Sequence, residues 1–449
     1  MKTFFATTWE NLSSSYWFIP TIMSILATGL SFLTVHIDTL VNAKWARAAG
    51  WIWAGGPEGA RSVLSTIAGS TITVAGVVFS ITIVTLSLAS SQFGPRLLRN
   101  FMGDRATQFV LGVFVATFLY SLLILRTIRG TDATSFVPFL SVTCGILFAV
   151  ASVGFLIFFI HHVPHSILAE NLVGRVAEEL QFRVERLYPE ELDNEPREHK
   201  EDIDRKLPGK FAEEAQSIDS QKSGFIQAID KDRLLKLATR EGLVIRLSRR
   251  PGDFVAEEAI LATVWPADKI SEKVIREFYE AFFFGWHRTP NQDIEYAIDQ
   301  LVEVAVRALS PGINDPFTAM SCIEWLGVAL IQVGRRKIPS ALHYDEESQL
   351  RLVTDVTDYP GIADSALNQI RQYGRSSVGV VTRLLDMIAR VAPELKRPED
   401  RQVLMDHAAA IYEDGVGEAK HDRDRNDIET VYLRARKALT REDAEASGT

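Results

Sequence analysis

The chain has 449 residues, 23% of them charged, and a formal net charge of −9. That length exceeds one ordinary domain and predicts two or three units. The mildly acidic balance argues against the basic footprint of a nucleic-acid-binding protein, and the two cysteines, Cys144 in an apolar run and Cys322 in a helix-like stretch, imply neither a disulfide framework nor a thiolate metal site.

A mean hydropathy of +0.05 at this charge content implies very apolar segments averaged against a polar remainder. The fold class expected is mainly α. An N-terminal four-helix transmembrane bundle is followed by a soluble α+β region with a small β segment and several C-terminal helices.

Four uncharged stretches carry the first part of that expectation: Asn11–Val35, Ser62–Pro95, Ala106–Leu125 and Ala133–Ile160. A helix of about 20 apolar residues crosses the hydrocarbon core, and a backbone in lipid must satisfy its own hydrogen bonds. Helices are placed near 17–37, 66–90, 107–126 and 138–161, within a transmembrane domain of residues 1–165. Trp9, Tyr16 and Trp17 precede the first span and Trp45, Trp51 and Trp53 follow it, as rings at an interface do. This first span is long and lacks a small-residue cleavage site, so it reads as retained rather than as a signal peptide. Arg96, Arg99 and Arg105 between the second and third spans, with Arg175, Arg183 and Arg186 after the fourth, place these segments inside by the positive-inside rule. Lys44, Arg47 and Arg61 in the first outer loop weaken that bias. The expectation is an inner (cytoplasmic) membrane protein with both termini cytoplasmic.

The second span is unusually rich in hydroxyls. At about 100° per residue, Gly69, Thr73, Gly76, Ser80, Ser87 and Ser91 fall on one narrow stripe, with Thr71, Thr82 and Thr85 on the other side. Two readings stand: a water-filled path, or a face of small residues that lets helices pack closely. Ser141, Gly145 and Ala149 of the fourth span read as packing. No Asp, Glu, Lys or Arg lies in the middle of any span, so the usual mark of a proton relay or charged-substrate pathway is missing.

The second span leaves through Ser90-Ser91-Gln92-Phe93-Gly94-Pro95-Arg96-Leu97-Leu98-Arg99. Gly94 and Pro95 stop one helix and can start another. Gln92, Arg96 and Arg99 form either a gate or lipid-sensing elbow, drawn to anionic lipids, or an ordinary snorkelling anchor. After the fourth span, His161 and His165 are spaced for a shared metal, but Pro164 interrupts the helix and no carboxylate is evident. They read as interfacial histidines.

The soluble region divides into an amphipathic helix and charged connector (166–222), a small β-rich segment (223–266) and a helical domain (267–449). Ser223–Asp230, Leu243–Leu247, Phe254–Val255 and Ile260–Trp265 read as strands, with Pro251-Gly252-Asp253 a tight turn in which Gly supplies positive φ. This segment is faintly similar to half of a biotinyl/lipoyl-type barrel, whose carrier lysine Lys231 superficially matches. The helix-like Asp232–Arg240 departs from that family, so Lys231 reads as a solvated surface lysine.

Thr289-Pro290-Asn291-Gln292 reads as the capping box of a helix whose apolar stripe is Ile294, Ile298, Leu301, Ala305 and Ala308, with Glu303 and Arg307 an i,i+4 pair. Ser-Pro-Gly-Ile-Asn-Asp-Pro follows. Gly312, Asn314, Asp315 and Pro316 make either a rigid corner between two helices or a ligand or partner site. Helices are expected near 364–373, 376–392 and 399–413, and an exposed, fraying helix from Glu418 onward.

Two stretches together, Ser90–Arg96 and Arg307–Pro316, with Pro251–Val255 between them, resemble motifs of a family of bacterial predicted membrane proteins known only as a domain of unknown function. The resemblance implies a bacterial inner-membrane location and the domain order above. It implies no catalytic residue and no cofactor.

Function remains divided among classes. No phosphate-binding loop, His-Glu-x-x-His, Gly-x-Ser-x-Gly or Cys-x-x-Cys motif is present, so an enzyme is the least supported. A channel or transporter with four helices per chain requires a symmetric homo-oligomer, and the hydroxyl stripe slightly favours it. A membrane-anchored scaffold or regulator, binding partners through its soluble helices, is the alternative.

Overall fold

The computed structural model describes residues 16–40, 56–94, 104–131, 134–190 and 200–440. The chain divides into two compact units, Met1–Asn171 and Leu172–Thr449.

The first unit is built from α1 (Phe18–Leu40), α2 (Pro57–Phe93), α3 (Arg105–Thr127) and α4 (Phe139–Ile167), with a short hairpin, β1 (Arg129–Thr131) and β2 (Thr134–Phe136), joining α3 to α4. The packing centre is α3, which lies against α1, α2 and α4. Close approach there rests on small residues. Gly112 of α3 faces Met23 and Pro20 of α1, where an added Cβ would lie 2.5 Å from the Met23 sulfur. Gly145 of α4 meets Leu64 of α2 in the same way, at 3.0 Å. Buried polar groups are matched inside the bundle: the Tyr120 hydroxyl shares a 3.0 Å hydrogen bond with Thr34 and donates to the Ser141 carbonyl, while Thr117 and Ser152 pair at 3.2 Å. The expected span positions are close to the observed helices, except that α2 begins well before residue 66 and runs for 37 residues. At a rise of 1.5 Å per residue that is about 55 Å, longer than the ~30 Å hydrocarbon core. Pro164 does not end α4, which continues through it to Ile167.

Five helices among the described residues are long and apolar enough to cross a membrane: α1 to α4 and Pro316–Gly334 in the second unit. Length and composition alone therefore do not yield the expected count of four.

The second unit begins along α5 (Ala169–Leu187), whose buried Leu172, Val173, Val176, Ala177, Leu180 and Val184 recur at helical spacing. Two short helical turns lead to β3 (Gln216–Asp219), β4 (Gly224–Ile229), α6 (Lys231–Glu241), β5 (Val244–Leu247), β6 (Phe254–Val255), β7 (Ile260–Trp265), α7 (Glu272–Tyr279) and β8 (Phe282–Gly285). There follow α8 (Ile294–Ala308), α9 (Pro316–Gly334), β9 (Leu342–Tyr344), β10 (Leu350–Val353), α10 (Tyr359–Gly374), α11 (Val378–Val391), α12 (Pro398–Glu418) and α13 (Asp422–Thr440).

The strands form a five-stranded sheet in the order β3-β7-β5-β10-β9 and a three-stranded sheet in the order β6-β4-β8. All pairings are antiparallel except β5 with β10, where Ile245 faces Leu352 and Arg246 faces Val353. One core joins the sheets to α6 and α7 through Ile226, Leu234, Leu237, Ile245, Leu261 and Phe278. Each such side chain is worth about 1.5–3 kcal/mol on burial. The reading of residues 267 onward as helical misses β8, β9 and β10. These strands are short, and all three extend sheets begun before residue 266.

In the helical part, α9 packs against α8, α10 and α11, burying Cys322, Ile323, Leu326, Leu330 and Val333. The start of α8 differs from expectation. Asp293, not Thr289, is its N-cap, accepting from the Tyr296 amide at 3.0 Å. The ion pair of Glu303 with Arg307 is present at 3.4 Å. The last helix, α13, is not merely exposed: it packs on α11 and α12, burying Ile428, Ala435 and Leu439 and stacking Tyr432 on Tyr412.

Candidate functional site

Two faces of α2 have opposite fates. Ala60, Leu64, Ile67, Ala68, Thr71, Ala75 and Val78 are buried within the unit. Thr73, Ser80, Ser87 and Ser91 are exposed on the opposite face, and an added Cβ at Gly69 or Gly76 would meet only open space. The hydroxyls of Thr73 and Ser80 donate to the carbonyls four residues back at 2.8 Å, and Ser91 donates to the Leu88 carbonyl at 2.8 Å. Such local bonds keep a hydroxyl satisfied without a neighbouring helix. Among the described residues, nothing of the chain's own bundle packs on the stripe. Ser141 and Gly145 of α4, by contrast, are buried among Asp38, Leu64 and Tyr120, and form the packing face expected of them.

Two further hydroxyls of α2, those of Thr82 and Thr85, line a cavity of about 190 Å³ with Phe79, Ile83 and Leu86 of the same helix and with Tyr16, Asp104, Thr107 and Ser166. Asp104 caps α3, accepting from the Ala106 amide and the Thr107 hydroxyl, and its Oδ2 lies 2.9 Å from His162 Nε2. This partner of His162 lies 58 residues away in sequence, while His161 and His165, the pair spaced for a metal, face each other with ring centroids 4.5 Å apart. No cluster of three or more metal-ligating side chains occurs among the described residues. Gln92 is exposed in the last turn of α2, and Gly94 ends the helix at φ 108°, its amide donating to the Ser90 carbonyl. Pro95, Arg96 and Arg99, and with them the elbow, lie outside the described residues.

The corner between α8 and α9 is internally bonded. Asp315 caps α9 through the amides of Phe317 and Thr318 and the Thr318 hydroxyl, while its own amide donates to the Ala308 carbonyl at 2.7 Å. Asn314 sits at φ 50°, a left-handed conformation that asparagine tolerates. Pro316 takes the first helical position, where its missing N–H costs nothing. Gly312 and Ile313 are exposed, and Phe317 is 79% exposed.

A third place has more chemistry than sequence analysis found. The carboxyl ends of the parallel pair β5 and β10 lead into Arg250-Pro251 and Asp355-Val356-Thr357. With Lys231 at the start of α6, these loops line a cavity of about 270 Å³. Gln292 holds the neighbouring backbone, its side chain accepting from the Ile229 amide and donating to the Ile229 carbonyl. Arg250 is matched by Glu295, at 2.8 and 3.0 Å, and by the Thr357 hydroxyl. Burial pushes the Glu295 carboxyl above its usual range, and Arg250 opposes that shift. Lys231 is half-buried and makes no ion pair or hydrogen bond among the described residues, so desolvation pulls its ammonium below the usual lysine range. It stands at the first turn of a helix, capped by Asp230, and not at the tip of a hairpin where a carrier lysine would sit. This cavity shares Pro339, Asp355 and Val356 with a larger cleft of about 920 Å³.

Residues 13–390 match the predicted membrane protein family DUF2254. The chain belongs to that family. It is 29% identical over 447 residues to the uncharacterized proteins Mb1321c of Mycobacterium bovis and Rv1290c of Mycobacterium tuberculosis, alignments that cover 96% of this chain and 82% of each relative. No solved structure matches. Membership makes the chain a membrane protein of a bacterial family, as the Ser90–Arg96 and Arg307–Pro316 resemblance implies, and supplies no activity.

Proposed function

We propose that this DUF2254 member is an oligomeric, channel- or transporter-like membrane protein in which the hydroxyl face of α2 meets its copies about a symmetry axis. The observation that carries the reading is that Gly69, Thr73, Gly76, Ser80, Ser87 and Ser91 are exposed, on the face of α2 opposite the one buried against the described helices. Small residues on an outward face let a second helix approach closely, and hydroxyls on that face would line the axis. Four spans, α1 to α4, form the membrane part. The fifth apolar helix, α9, is enclosed by α8, α10 and α11, which favours a core role in the second unit. Both termini then lie on one side, the cytoplasmic one. The basic side chains Arg96 and Arg99 that follow Gln92 in the sequence would anchor the exit on anionic lipid.

Native mass spectrometry and oxidative cross-linking of Ser80→Cys test the assembly, with Ile157→Cys on the exposed face of α4 as control. Cross-linked dimers are expected for Ser80→Cys alone. A monomer without such dimers overturns the reading. Ion flux through liposomes carrying the purified protein tests conduction. Equal flux from a Ser80→Leu, Ser87→Leu double variant would show that this stripe is not the path.

A membrane-anchored scaffold is favoured by one observation, the exposed Phe317 and Ile313 at the α8–α9 corner. A soluble partner docking there would be lost on Phe317→Ala with the fold intact.

A further inference from the structure

We propose that the cavity at the carboxyl ends of β5 and β10 binds a small organic anion, its charged group against Lys231 and its hydroxyl or amino donors toward Asp355.

Three observations point to it independently of the membrane unit and of the channel reading. The first is topological. The pair β5–β10 is the parallel pairing among the described strands, and crevices outside the carboxyl ends of parallel strands are where open α/β sheets hold ligands. Here β4 also ends at the same place, handing over to α6 through the Asp230 cap.

The second is the state of the charges. Arg250 is neutralised by Glu295. Lys231 and Asp355 line the same cavity, yet neither makes an ion pair or hydrogen bond among the described residues. A half-buried ammonium without a counter-charge is costly, and an anion entering the cavity removes that cost. The Lys231 ammonium is a compact point charge suited to a phosphate or carboxylate.

The third is size. A volume of about 270 Å³ is room for a small metabolite. The opening into the wider cleft passes Asp355, whose exposed carboxylate accepts from hydroxyls or amines on the ligand.

Binding is measured on the full-length protein in detergent or nanodiscs, at fixed ionic strength, by calorimetry and by the shift in unfolding temperature. The probes are glycerol 3-phosphate and glycerate, which share a hydroxylated tail and differ in the anion. Saturable binding of either is expected, with phosphate or carboxylate selected accordingly. Lys231→Met, which keeps the aliphatic stem, is expected to weaken binding at least tenfold, and Asp355→Asn less. Lys236→Met, an exposed lysine on the same helix, is expected to bind as the wild type does. Acylation provides a second readout: Lys231 should react faster than Lys236 near pH 8 and be protected by the bound probe. No saturable binding of either probe, or equal binding by a folded Lys231→Met variant, overturns the proposal.

Discussion

Asp38, in the last turn of α1, accepts from the Ser141 hydroxyl at 2.6 Å and from the Leu140 and Ser141 amides at 2.9 Å, so that one helix caps the start of another. The residue before α4 is Pro138, which offers no side-chain cap of its own. Loss of a cap costs about 0.5–2 kcal/mol, and a charged acceptor lies toward the upper end. Asp38→Ala is therefore expected to lower the unfolding temperature of the protein in detergent, and Asp38→Asn to retain part of the stability. An unchanged midpoint for Asp38→Ala would remove the cap from the account of this bundle.

Gly252 is held at φ 101° in the turn before β6, with its amide bonded to the Ile226 carbonyl. An added Cβ would come within 2.2 Å of the Asp293 carboxylate, which caps α8 and pairs with Arg288 at 2.7 Å. Gly252→Ala is expected to cost at least ~2 kcal/mol, from backbone strain and displacement of that carboxylate. Denaturant titration measures it.

His407 of α12 is nearly buried, 3.3 Å from Asp364 of α10. Burial lowers its pKa, against the pull of Asp364. The folded state then binds fewer protons than the unfolded chain between the lowered value and about 6.5. Stability from this group is present above that window and is lost as pH falls through it. The wild type is expected to lose stability between pH 7.5 and 5.5 more steeply than His407→Gln, by less than one proton in the slope. Parallel curves would show that His407 does not titrate differently on folding.

Asp315→Ala removes the cap of α9 and is expected to destabilise by about 1 kcal/mol. Phe317→Ala, at a side chain 79% exposed, is expected to change stability by less than ~0.5 kcal/mol. Thermal unfolding of the pair separates the corner's structural role from any role as a contact surface.

Local pattern carried much of the architecture. The apolar helices, β4 to β7, the Gly252 turn and the Asp315 cap follow from periodicity, glycine and capping chemistry within a few residues. Long-range partners were not legible. Asp104 meets His162, Asp38 meets Ser141, and β10 joins β5 across separations that no local period encodes. The stripe on α2 was legible as a stripe, but its direction was not: Thr73 and Thr71 are equally plausible inward residues until α3 is placed. Lys231 shows the same limit. Its capped helix start could be read, whereas its cavity is assembled from loops more than 100 residues apart.

The parallel pairing of β5 with β10 also sets an order on biosynthesis. Until Leu350–Val353 has been made, β5 is the outer strand of its sheet, with unpaired backbone groups and the apolar Val244, Ile245 and Leu247 beside them. Such an edge recruits other chains. Nascent or truncated chains ending within α8 or α9 are therefore the aggregation-prone species of this protein, and a cell making it must shelter that strand for the time needed to translate about 100 residues, roughly 5–20 s.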